Sequence, residues 1–198
     1  MSKNKRRKIV SSNEVRESVC NNYDTRPNIT NDKNPKENNN LHFDLSFEGL
    51  YYSVKHKDFN NLLKSPEQFV EKFRVCRKII TDITGKDFVR EILKSRNRYH
   101  AHEIDGDERD LITGCIGKAM ASANRGSVSD NLSQSVIEEK LYQIGLNGGV
   151  RFIGTYSEHT GEFRVLLIDY HHGIYFDQRK NKHSKKELKY CPMKAREN

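Results

Sequence analysis

The run FRVLLIDY, Phe163–Tyr170, is the longest apolar stretch in the chain and constrains the fold most. A continuous aliphatic segment of this length, bounded by polar turns, reads as a central strand buried on both faces. It follows VRFIGTY across SEHTGE, where Gly161 suits a turn that needs positive φ, so the two strands are predicted to form a hairpin. The run then meets His171 and His172 directly, followed by GIYF as a short further strand. Neighbouring side chains on a regular strand point to opposite faces. Both histidines serve one site only if the strand ends or bulges there, and Gly173 permits such a break.

Upstream of the hairpin the apolar period is helical. SPEQFVEKFRVCRKIITDITG opens with a Ser65 cap, Pro66 in the first turn and Gln68 completing a capping box. Phe69, Phe73, Cys76, Ile80 and Ile83 make its inward stripe, and Gly85 ends it. KDFVREILKS is a short second helix. DERDLITGCIGKAMASA is a third, with Leu111, Ile112, Cys115, Ile116, Ala119, Met120 and Ala123 in one stripe. NLSQSVIEEKLYQIGLNGG reads as a fourth, carried by Leu132, Val136, Ile137, Leu141 and Ile144. HFDLSFEG alternates as a half-buried strand with Phe43, Leu45 and Phe47 on one side, and LYYSVKHKDFNNLL fits a short helix or a strand. The expected architecture is α+β: a small, mainly antiparallel sheet with several helices packed on one face.

Composition divides the chain. Residues 1–40 contain ten Asn and few apolar residues, and are expected to be a disordered basic arm. Residues 41–178 form the single domain, and 179–198 a basic tail. The net charge of +8 sits at the ends: +4 over 1–40, +5 over 177–198 and −1 between them. Lys/Arg-rich arms attract phosphate without reading sequence. Arg179 and Lys180 in the tail, with Arg96, Arg98 and Tyr99, are the expected RNA-binding residues, an arginine–aromatic pairing that suits a single strand. Solvation of basic tails explains the same charge.

The four cysteines are scattered without a CxxC pair, which argues against a thiolate zinc site. No apolar run follows the charged start MSKNKRRKIV and none reaches bilayer-spanning length, so a cytoplasmic chain without a membrane partner is expected. P-loop, dinucleotide, nucleophile-elbow and Cys/His nucleophile patterns are absent, and no cofactor is expected. His100 and His102 in NRYHAHEIDGDE share a face if extended. With Glu103 or His171 they offer ligands for zinc and hence a metal-dependent hydrolase.

A helix, a Gly-rich turn, VRFIGTY and then FRVLLIDYHHGIY, over residues 131–176, resembles the RelE/ParE toxin family. The resemblance matches Arg151 to a strand arginine, Val165–Ile168 to the aliphatic strand and Tyr175 to the aromatic residue after a polar cluster. It implies a toxin or ribonuclease cleaving RNA by metal-independent acid/base chemistry, with RNA or the ribosome and an antitoxin as partners, as encoded on mobile elements. It assigns Arg151 to the phosphate, and His171, His172 and Tyr175 to proton transfer. The chain departs from the family in its HH in place of HR and in LNGG where lysines precede the strand. The alternative is a non-catalytic module of the same fold that binds nucleic acid or protein. From the residues alone, Arg151 also fits a solvated side chain or a pair with Glu162, and Asp169 fits either a histidine-orienting group or a turn cap.

Overall fold

The computed structural model describes residues 40–123, 139–146, 149–175 and 187–194. In chain order the elements are β1 (His42–Asp44), β2 (Lys55–His56), β3 (Phe59–Asn60), α1 (Pro66–Ile83), the π-helical α2 (Phe88–Leu93), α3 (Arg96–Tyr99), β4 (His102–Ile104), α4 (Gly106–Ala123), β5 (Leu141–Gly145), β6 (Arg151–Ser157) and β7 (Glu162–Asp169). The fold class is α+β. Five strands form one sheet in the order β1-β7-β6-β5-β4, and β2-β3 is a separate two-stranded ribbon. Every pairing is antiparallel except β1 with β7. Among the described residues no helix is long and apolar enough to cross a membrane. Apart from Asn40, which bridges to Asp87, the expected arm lies outside the described residues.

Strand β7 is second from the sheet edge, between β1 and β6, and Val165–Ile168 are buried within it. The hairpin with β6 forms as the sequence predicts, closed by Gly161 at φ 71°. It carries one irregularity, a register shift between Ile153 and Gly154. Gly154 lies so close to the neighbouring strand that a Cβ there would collide with the Arg164 carbonyl oxygen. One sheet face is sealed by aromatic rings. Phe88 of α2 lies over Tyr156 at 4.0 Å and meets Tyr142 edge-on at 5.2 Å, and Phe43 meets Phe163 at 5.8 Å. Helix α4 packs against β7 and β2, burying Ile112, Cys115, Ile116, Ala119 and Met120.

Several expectations are corrected. Residues 141–145, predicted helical, are strand β5. Leu141 and Ile144 are three apart, which suits a helix stripe, but pairing with β4 on one side and β6 on the other satisfies their backbone and buries both. Leu132, Val136 and Ile137 lie outside the described residues. GIYF is not a strand over Ile174 and Tyr175, which are in a turn, because the Ile174 N–H donates to the Asp169 carboxylate. In α1 the Ser65 cap and Cys76 hold, and Gln68 Oε1 accepts the Lys64 N–H rather than the Ser65 N–H of a true capping box; Phe73 is 50% exposed and the buried stripe is Cys76, Ile79 and Ile83. The supposed basic tail is tied to the body over Glu187–Lys194. Leu63 and Tyr190 exchange backbone hydrogen bonds of 2.9 and 2.8 Å, and Leu188 and Cys191 are buried.

Gly154→Ala is expected to destabilise the protein by about 3 kcal/mol, because backbone rather than a movable side chain occupies the space. The measurement is a urea midpoint at unchanged m-value. An unchanged midpoint would contradict the close strand approach.

Candidate functional site

The residues that gather at one end of the sheet are set by register. Asp169 pairs with Arg151, Arg151 with Gly145, Ile153 with Gln143, and Gln143 with His102. Cross-strand partners share a face and residues two apart on a strand do too. Asp169, Arg151, Gly145, Gln143 and His102 therefore line the same face at the same end. Glycine is required at 145, since a Cβ would stand 2.7 Å from both Arg151 Cδ and the Val150 carbonyl oxygen.

Asp169 is fully buried at the end of β7. Its Oδ1 accepts the His171 N–H at 3.0 Å and its Oδ2 the Ile174 N–H at 3.1 Å. Two donors are thus withdrawn from any continuing ladder and the chain turns, with His172 left-handed at φ 57°. The two histidines diverge. The His171 ring Nε2 lies 2.7 Å from the Leu62 carbonyl oxygen, while the His172 ring approaches Tyr175 at 6.3 Å between centroids. The turn also delivers Tyr175 to β4, where its hydroxyl lies 3.0 Å from His102 Nε2 and the rings meet edge-on. When the His102 proton is on Nδ1, the phenol O–H donates to Nε2. His100 is left-handed at φ 47° and its carbonyl accepts from Gln143 Nε2 at 3.3 Å.

The electrostatics favour neutral imidazoles. Burial first, and then the cations Arg96 and Arg151, lower the His102 pKa, while a hydrogen bond with the His100 backbone opposes them. Burial and Arg151 likewise lower that of His172 against the pull of Asp169. Burial, with Glu108 and Asp105, raises the Tyr175 phenol and keeps its proton on. The arrangement is a half-buried pair of neutral imidazoles around a protonated phenol, which can take one proton and give another.

The sequence-predicted residues are redistributed. His172 and Tyr175 are in the cluster, and His171 is not. Arg151 is adjacent but only 4% exposed, with Nη1 donating to the carbonyls of Leu146 and Val150 at 3.0 and 2.8 Å. It neither meets solvent nor pairs with Glu162, which instead faces Arg164 and His42. Its assignment as a direct phosphate ligand is corrected: burial leaves it a cation acting through its field, lowered by desolvation and sustained by Asp169. Arg96 and Arg98 are exposed on α3, but Tyr99 is 3% exposed and is no stacking platform, because its ring is taken into the core with the Arg98 guanidinium 5.2 Å from its centre. Arg179 and Lys180 lie outside the described residues. His100 and His102 do not chelate together, since only His102 is in a strand. Among the described residues no three His, Cys, Asp or Glu side chains converge to hold a metal. Gln143 is the residue sequence reasoning missed, hidden by the helical reading of its segment. Its Oε1 and the Nε of Arg151 are buried without a partner among the described residues.

An α+β protein with an imidazole–phenol cluster at one end of its main sheet is the class these residues define. A family profile described as Uncharacterised protein UU032 matches residues 46–198, and the chain belongs to that family. No curated protein and no solved structure matches the chain.

Both imidazoles are held below the ordinary histidine range, so around pH 6.5 the unfolded chain binds more protons than the folded one. Their stabilisation is present above the unfolded value and is lost as pH falls through the folded ones. The melting temperature is expected to fall from pH 7 to pH 5, and His102→Gln to flatten that fall, with His56, shifted the same way, unchanged in both proteins. An equally steep fall in the variant would contradict the burial of a neutral His102.

Proposed function

We propose that the chain is an endoribonuclease that cleaves RNA by metal-independent acid/base transfer, acting as a RelE/ParE-like toxin on RNA at the ribosome and restrained by an antitoxin. The observation that carries this reading is the 3.0 Å contact between His102 Nε2 and the Tyr175 hydroxyl, which joins segments 73 residues apart in a cluster with His172. In the proposed step His172 takes the proton of a ribose 2′-hydroxyl and the 2′-oxygen bonds to phosphorus. The 5′-oxygen bond breaks, and that oxygen receives the Tyr175 proton. A 2′,3′-cyclic phosphate and a 5′-hydroxyl result. His102 orients the phenol, and the buried Arg151 charge favours the negative charge that develops. The charge of the two chain ends supports a polyanionic substrate.

A second reading, a non-catalytic binding module of the same fold, is favoured by Arg151, whose Nη1 is taken up by two backbone carbonyls. One experiment separates the two: incubation of the purified protein with end-labelled RNA, and with DNA of the same sequence, in EDTA. The enzyme reading expects cleavage of the RNA alone to cyclic phosphate ends, with His172→Ala and Tyr175→Phe each slowing it at least about 100-fold, the usual range for a lost acid or base. RNA that is bound but left intact would overturn it in favour of the module.

A further inference from the structure

A second feature is built from residues outside the histidine cluster. Two adjoining hollows, of about 470 and 370 Å³, share Ser53, Lys55 and Lys194. The first is completed by Leu62, Lys189, Tyr190 and Cys191, and the second by Val54, Lys118, Ala121 and Ser122. The walls come from three separated parts of the chain: the β2 region, the C-terminal half of α4 and the stapled segment 187–194. Four exposed ammonium groups line them, and none of the described lining residues is acidic. Four like charges around a concave surface raise the local positive potential and favour an anion there.

Ser53 is 8% exposed, and its N–H donates to Cys191 Sγ at 3.3 Å, tying the β2 region to the 187–194 segment. Ser53 lines both hollows, and its Oγ is buried with no partner among the described residues. Lys118 Nζ lies 3.5 Å from the Lys55 carbonyl oxygen, which draws the α4 ammonium across the second hollow. Flexible cations at the rim suit phosphate oxygens, which lysine meets as a point charge.

We infer that this lysine-lined cleft holds successive phosphates of a single-stranded RNA backbone. Two connected hollows and cations contributed from three segments fit an extended polyanion better than one isolated phosphate. Leu62 lines the first hollow and its carbonyl oxygen faces the His171 ring, so the cleft adjoins the double-histidine turn. The choice of RNA rests on the function proposed above, whereas the affinity of the cleft for phosphate rests on its own residues.

The test is fluorescence anisotropy with a labelled 2′-O-methyl RNA oligonucleotide. This probe lacks the nucleophilic 2′-hydroxyl and reports binding whether or not the protein cleaves. Lys118→Gln/Lys194→Gln is expected to weaken binding at least tenfold at low salt, and to lower the slope of log K against log salt by about 1.4, at roughly 0.7 per single-strand phosphate contact. Lys140→Gln, outside the cleft lining and paired with Glu103, should leave both unchanged. Unaltered affinity and slope in the lysine double variant, with its melting temperature intact, would overturn the cleft as the site. Displacement of the oligonucleotide by millimolar inorganic phosphate at matched ionic strength would overturn the strand in favour of a free phosphate ligand.

Discussion

The buried carboxylate of Asp169 is the constraint on which the end of the sheet that carries the candidate site depends. It accepts two backbone N–H groups, from His171 and Ile174, and by doing so ends β7. Each donor left without it in the interior would cost about 1–3 kcal/mol. The reversal it enforces sends the His171 ring toward Leu62, holds His172 in a left-handed conformation and carries Tyr175 across to His102 on the far strand. A strand that continued past Asp169 would scatter these groups over two faces.

Arg151 completes that arrangement from the adjacent strand. Its charge opposes that of Asp169 in the same buried layer, and its Nη1 holds the chain entering β6 through Leu146 and Val150. Gly145 opposite it supplies the room. The same cation helps keep His102 and His172 unprotonated. Structure and chemistry are therefore coupled: the residue that secures the sheet end adds to the burial that lowers the two imidazoles beside it. The lysine cleft is a separate device, built from surface charge.

Local signals were the legible ones. The aliphatic run of β7, the Gly161 hairpin and the capped start of α1 each declare themselves within about twenty residues, and all are present. A break near the two histidines was legible, but the strand already ends at Asp169 and the turn sends the rings apart rather than to one site. What escaped was non-local. LYQIG carries an apolar spacing that helix and strand both satisfy, and its two strand partners, at 102–104 and 151–155, decide the matter. With β5 read as helix, Gln143 and the approach of His102 to Tyr175 were invisible. The arginine was placed at the correct end of the correct strand, but its burial comes from packing around Gly145 that no periodicity shows. Segment 187–194 was masked by its charge, since Leu188 and Cys191 are too few to announce a packed element.

The central claim is that His102 and Tyr175 act as one proton-transfer unit on RNA. A double-mutant cycle on the cleavage rate, with His102→Ala, Tyr175→Phe and both together, tests it most directly. The account expects the double variant to be about as slow as the slower single one, because either change breaks the same unit. Losses that multiply, or a wild-type protein that cleaves no RNA, would contradict it.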